Sequence, residues 1–382
     1  MGNTQVQNFT ISSPEPLLVT IQPPEEVFCH QDTHQTLQTL IQLYVMPSFF
    51  LAVLILGLPL NLLSLWVFFH RLRRWTRSTV FLFNMTLADT FWLLALPFLI
   101  YYHLDHLYWR LGLPLCVTVR MLYHNYFYLS IFFVTCINVD RYLAIVHPLR
   151  SLVLLGRRKT CLLCVAVWVA TLILSSPVAS MTLIQTCPGS NRTICTLYVL
   201  LSDSRESLPF SLFCCIVGFL FPLLSICFFG LRSVRELRRR CLRPNTHNKQ
   251  HRLRQVLSTT LVLFALIYLP YHLSRNAAIV MRAVYPDDPH SWRTADLVFA
   301  LEMSVCSLIA CVNPVFSCIT GRQFKKEFNS TFAVLFSRCP GMQVASAISK
   351  RTRMTLRKRQ GTSTVTPGCA PPVPIDPNDN VG

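Results

Sequence analysis

Apolar residues in this chain fall in long unbroken runs rather than in alternation. Met46 to Phe69, Thr160 to Gln185, Ser207 to Leu231 and Gln255 to Ser274 hold no Asp, Glu, Lys or Arg. Each run is long enough to cross about 30 Å of hydrocarbon as a helix. Windows of about 19 residues place spans at 44–70, 79–103, 113–146, 160–182, 209–233, 255–281 and 294–319. The pattern therefore predicts an all-α membrane protein, a seven-transmembrane helix bundle. Asp89 and Arg120 interrupt the second and third spans.

After the seventh span, Phe324, Phe328, Phe332, Leu335 and Phe336 recur at helical spacing beside Lys325 and Lys326. This predicts a short amphipathic helix over 322–338 on the inner leaflet, with Cys339 as a palmitoyl anchor. The expected organisation is an extracellular segment 1–43, a receptor-like bundle 44–321, the surface helix 322–338 and a disordered cytoplasmic tail 339–382 that carries the basic run Lys350 to Arg359.

Composition agrees. Among 382 residues, 52% are hydrophobic and 14% charged, with a formal charge of +18. A soluble domain has about 25% charged residues, so an ordinary cytosolic enzyme is not expected. The basic excess does not point to a nucleic-acid polymer, because the cations lie between and after the apolar runs. The partner they imply is the lipid bilayer. Of the 35 Lys and Arg, 28 fall in 71–78, 141–159, 232–254 and 322–359, and none in the first 50 residues. Cationic loops resist translocation, so the N-terminus is expected outside and the C-terminus inside the plasma membrane. No cleavable signal pattern precedes the first span, which would serve as its own insertion signal. The sequons at Asn8 and Asn191 fall on the expected outer side; those at Asn84 and Asn329 do not.

Cys29, Cys116, Cys187 and Cys195 are the outer cysteines, and four cysteines allow three pairings. No Cys or His pair has the company a metal site needs. Ionisable residues within spans are costly, which singles out Asp89, Arg120, His124, Asp140, Arg141, His272 and Arg275. Bland alternatives exist: the two arginines could snorkel to the outer surface, the histidines could be satisfied core residues, and Asp140 with Arg141 a surface pair. Company favours a site. Arg120, Tyr123, His124 and Phe127 share one face of the third helix, and His272 and Arg275 share one face of the sixth, just outward of the kinking Pro270. The result is a cationic, aromatic cup suited to an anionic ligand with an apolar part. Arg282 is placed at the loop beyond it.

These residues resemble the rhodopsin-like (class A) G-protein-coupled receptors over about 45–338. The landmarks run in order: Asn61; Asp89; Cys116; Asp140-Arg141-Tyr142; Trp168 and Pro177; Pro222; Phe264 and Pro270; Asn313-Pro314. The resemblance implies a receptor and not an enzyme, with heterotrimeric G protein and arrestin as partners and a sodium ion near Asp89. It also implies that Arg141 faces the G protein on activation, that Pro270 is the pivot of the sixth helix, with Tyr268 where most members have a tryptophan, and that Cys116 pairs with Cys187 or Cys195, leaving Cys29 for the other.

Pro270-Tyr271-His272-Leu273-Ser274-Arg275 is similar to the Pro-x-His-x-x-Arg pattern of the purinergic-nucleotide branch and its relatives for lysophospholipids, leukotrienes and succinate. A nucleotide, lysophospholipid or other acidic lipid or metabolite is thus the implied small extracellular ligand. Two family tyrosines are missing, at Gly230 and Ser317. The contact they make in relatives helps to hold the open state, so their loss implies weak activation. A proton-sensing receptor using His30, His34, His103, His106 and His290, and a receptor-like scaffold or decoy with weak signalling, are the rival readings. A transporter or channel would require an internal repeat and a polar pathway, and neither is found.

Overall fold

Uncharged runs of this length become helices because a helix satisfies its backbone N–H and C=O groups within one segment, without water. A computed structural model describes residues 40–149, 151, 156–180, 184–186, 193–195, 204–239, 246–285 and 288–337. Cys29, Cys187, Cys339, Asn8, Asn191, His30, His34 and most of the two end segments lie outside the described residues. Seven helices are long and apolar enough to span a membrane: α1 (Ile41–Arg71), α2 (Arg77–Leu104), α3 (Gly112–Val146), α4 (Arg158–Ala179), α5 (Leu208–Arg239), α6 (Leu253–Val284) and α7 (Thr294–Thr320). α8 (Arg322–Ser337) follows at once.

Three of the prolines shape their helices in the same way. A proline has no N–H and its ring collides with the carbonyl four residues back. At Pro47, Pro222 and Pro270 the backbone widens into a π turn, over Ile41–Val45, Ile216–Leu220 and Phe264–Tyr268, each centred on that fourth-back residue. In α7 the loosening comes earlier, where the amides of Ser307 and Leu308 bond three residues back at 3.0 Å. The carbonyls released find side chains instead: Tyr126 donates to Cys306 O (2.8 Å) and Asn61 to Ala310 O (2.7 Å). Polar residues of α1 and α3 thus repair the backbone of α7.

α3 runs through the core, buried from Cys116 to Asp140 along most of its faces, whereas α4 turns Leu162, Val165, Val169 and Ile173 outward. Gly218 permits the close approach of α5 to α3, since a Cβ there would lie 2.2 Å from the Tyr128 ring.

The end opposite the basic loops carries a small element that hydropathy did not foresee, an antiparallel pair of β1 (Ile184–Thr186) and β2 (Thr193–Cys195) in the register Ile184 to Cys195. Cys195 is joined to Cys116, which selects one of the two pairings the resemblance left open. The connection between α2 and α3 clamps the same hairpin. It turns through left-handed His106 and Leu107, and Trp109 donates from its backbone to Thr193 O (2.8 Å) and from its indole to Gly112 O (2.8 Å). At the other end, α8 buries Phe324 and Phe328, and Phe324 stacks on Phe68 of α1 with centroids 4.7 Å apart.

Candidate functional site

The cup forms where α3, α5 and α6 face one another beneath the disulfide. Arg120 and Arg275 are 3% and 1% exposed, so neither snorkels to the surface. Arg275 lies over the ring of Phe210 on α5 (5.6 Å), and its three guanidinium nitrogens have no hydrogen-bond partner among the described residues. Its polar neighbours are Tyr271, Tyr128 and Cys214, of which Tyr271 and Cys214 come near enough for a poorly aligned contact; no carboxylate stands among them. Arg275 and Arg120 repel one another. His124 shares a hydrogen with Ser175 of α4 (2.8 Å) through Nδ1, while both ring nitrogens of His272 are buried without a partner among the described residues. Aromatic rings line the rest: Phe127 packs on Tyr271 (4.4 Å) and His272 (5.9 Å), and Tyr123 on Tyr271 (6.4 Å). The sequence foresaw Arg120, Tyr123, His124, Phe127, His272 and Arg275 on two faces, and the fold brings those faces together. Phe210, Ser175 and Tyr128 were missed. Tyr128 stands one turn below His124, a spacing that could have revealed it, but no local signal marks Phe210.

Beneath the cup a hydrogen-bonded chain crosses the core. The Asn313 amide donates to both oxygens of fully buried Asp89 (3.0 and 2.9 Å) and to Ser130 (3.1 Å), and the Ser130 and Tyr268 hydroxyls pair at 3.1 Å. The Tyr268 ring meets Phe127 edge-on at 5.3 Å and Phe264 at 5.0 Å. Tyr268, in the tryptophan position, therefore carries a hydroxyl that ties the polar core to the floor of the cup.

At the basic end, Asp140 accepts from Ser78 (2.7 Å) and pairs with Arg77 (2.9 Å), both on α2. It is 4% exposed, so the surface-pair alternative fails. Arg141 donates to the Thr320 carbonyl at the end of α7 (3.1 Å). Tyr142 packs its ring on Phe229 of α5 (4.8 Å).

Residues 60–316 match the 7 transmembrane receptor (rhodopsin family). The chain belongs to the rhodopsin family of seven-transmembrane receptors. Human purinoceptor 4 is 30% identical over 288 residues, covering 74% of this chain and 77% of that protein. Guinea-pig purinoceptor 1 is 30% identical across 76% of this chain and 78% of its own length. Rat succinate receptor 1 is 28% identical, covering 76% and 90% respectively.

Within this rhodopsin-family receptor one sequence-based expectation changes. Arg282 is not a free loop residue: it bridges α6 to α7 through a two-pronged contact with Asp296, both side chains largely buried. The space beside Gly230 is occupied by Leu257 of α6, so close that a Cβ at 230 would stand 2.5 Å from its Cδ1. Ser317 is buried and its hydroxyl has no partner among the described residues. One histidine of the proton-sensing reading, His103, is buried against Phe50 and bonded to the Gln42 carbonyl at 2.7 Å.

Proposed function

We propose that this receptor sits in the plasma membrane with its basic end in the cytoplasm, takes a small anionic ligand into the outer cup, and signals through heterotrimeric G proteins, with arrestin as a further cytoplasmic partner. The observation that carries the reading is Arg275. A buried guanidinium with no partner is strongly destabilising unless something neutralises it, and a carboxylate or phosphate accepts its paired N–H groups with matched geometry. The aromatic walls supply the apolar half of the contact, so a nucleotide, a lysophospholipid or another acidic lipid or metabolite fits the cup's chemistry. Relatives named for purines and for succinate, a dicarboxylate, support the same class. Ligand binding shifts the population towards a state open at the basic end, with Pro270 and the widened turn before it as the pivot. Asp89, Ser130 and the unbonded Asn313 Oδ1 offer buried oxygens that suit a sodium ion, which would neutralise the carboxylate. The disulfide end, with Asn8 and Asn191, faces outward for glycosylation, and Cys339 is the palmitoylated cysteine.

The test is a screen of transfected cells against nucleotides, lysophospholipids and dicarboxylates with calcium, cAMP and arrestin readouts, followed by Arg275→Ala. Losing a charge-assisted pair should raise the half-maximal concentration about a hundredfold. Arg110→Ala is the control, because Arg110 is exposed and paired with Asp105 (2.8 Å). Equal potency of the Arg275→Ala variant and the parent would overturn the assignment. The sodium proposal has its own test: agonist affinity should fall as sodium replaces a bulky cation, and Asp89→Asn should abolish that dependence.

A further inference from the structure

The cup holds a nucleophile that recognition of an anion does not use. Cys214 on α5 is a free, buried cysteine, and its thiol lies beside the Arg275 guanidinium and the Tyr128 hydroxyl. It stands one turn along α5 from Phe210, the ring over which Arg275 lies, so both residues face the cup. Gly218, a further turn along, lets the Tyr128 ring press against α5 and keeps the thiol close to α3. Other cysteines of the bundle are occupied differently. Cys306 and Cys311 direct their S–H groups at the carbonyls of Ile267 (3.9 Å) and Val53 (3.6 Å), and Cys161 is exposed on α4. A second sign of a ligand at this place does not depend on the thiol: the guanidinium nitrogens of Arg275 and both ring nitrogens of His272 are buried without a hydrogen-bond partner among the described residues.

A thiol beside a guanidinium is well placed to add to an unsaturated acid. The cation receives the carboxylate and so sets the carbon next to it against the sulfur. It also offsets the negative charge that develops on sulfur as the proton leaves. We propose that Cys214 bonds covalently to ligands in which the double bond adjoining the acid group is conjugated to a second carbonyl on its far side. The step balances without a further reagent. A bond forms from sulfur to the carbon next to the carboxylate, the π bond between the two alkene carbons breaks, and its electron pair passes into the enolate of the second carbonyl. The other alkene carbon then takes up the proton that the thiol released, so nothing is oxidised or reduced overall. A saturated acid occupies the same place and leaves again, whereas an electrophilic one is retained. The addition rests on the reading that Arg275 receives the acid group, and adds to it the class of acid that the cup keeps.

Full-length receptor in detergent, treated with monohexyl fumarate, provides the test, with the neutral hexyl methyl fumarate and the saturated monohexyl succinate as controls. Intact mass spectrometry should show a fast adduct of the fumarate monoester, and peptide mapping should place it on Cys214, a result that needs no variant to fold. Relative to each probe's rate with glutathione, the neutral diester should modify Cys214 about a hundredfold more slowly. The monoester should be slowed as much on Arg275→Ala, because the acid pair sets occupancy below saturation. Cys214→Ser should abolish the fast adduct, and Cys215→Ser, which alters the adjacent, partly exposed thiol, should keep it. Unchanged melting of both serine variants separates a lost nucleophile from a lost fold. Monohexyl succinate reads the underlying acid site: it should raise the melting temperature of the parent and of Cys214→Ser, but not of Arg275→Ala. If that rise appears while Cys214 stays unmodified, or is labelled no faster than Cys215, the covalent proposal is overturned and the acid site survives. Equal labelling of Cys214 in Arg275→Ala, or by the neutral diester, would overturn the docking of the acid on Arg275 and the directed addition with it. Neither rise nor adduct would overturn both.

Discussion

The two ends of this receptor treat buried charge in opposite ways. At the basic end Asp140 accepts a hydrogen bond from Ser78 at one oxygen and has Arg77 as counter-ion at the other, which lacks an aligned hydrogen bond, and Arg141 reaches a backbone carbonyl at the end of α7. In the cup, Arg275 and His272 are equally buried yet have no hydrogen-bond partner among the described residues. Buried polar groups are nearly always satisfied in folded proteins, so exceptions ask for an explanation. The contrast is what the proposed function rests on: the contacts at the basic end are made within the protein, while the cup holds a buried cation for which a ligand is proposed. The hydroxyl pair of Ser130 and Tyr268 lies between, linking the two regions through one chain of hydrogen bonds.

The comparison breaks most severely if the cup end loses its disulfide. Cys116 and Cys195 are separated by 79 residues, and closing a loop of that size stabilises by about 4 kcal/mol, mostly by restricting the unfolded chain. Cys116→Ser should therefore lose most of its surface delivery, measured by antibody labelling of intact cells; normal delivery would mean the hairpin is held by its backbone contacts alone.

A smaller effect is expected at the basic end. Asp140→Asn leaves Arg77 without its counter-ion, and because Arg77 is partly exposed the loss should be about 1–2 kcal/mol. The purified variant should melt a few degrees lower. It should also show raised basal signalling, since α3 is no longer tied to α2. A rise in stability instead would show that the pair is strained rather than supportive.

The least effect concerns the missing tyrosines, and here the structure sharpens the sequence reading. Leu257 occupies the space beside Gly230, so Gly230→Tyr with Ser317→Tyr overpacks the α5 and α6 contact, an error that costs about 1–3 kcal/mol. Adding Leu257→Ala should relieve it. The triple variant, normalised to surface level, is expected to signal up to about tenfold above the parent, equivalent to about 1.4 kcal/mol favouring the open state. Signalling no higher than the parent's would mean that the absent phenols do not limit activation here.

Hydropathy made the seven spans legible because lipid imposes one solution on the backbone, and prolines and motif residues marked where each helix bends. Helical spacing likewise revealed both halves of the cup. What stayed hidden depended on packing between segments far apart in the chain. Phe210 under Arg275, Ser175 beside His124 and Leu257 in the space at Gly230 are ordinary apolar or small polar residues whose meaning exists only after α4, α5 and α6 meet. Arg282 was misplaced for the same reason, since its partner Asp296 belongs to the next helix. The choice of Cys195 for Cys116 required the hairpin that positions it.

The central claim is that Arg275 receives the acid group of a ligand. Its most direct test compares the first activating acid with its neutral methyl ester on the parent receptor and on Arg275→Ala. If acid and guanidinium meet, the ester should be about a hundredfold weaker on the parent and should match the acid on the variant, because the interaction needs both charges. A loss of the same size on both receptors would place the acid elsewhere and contradict the account.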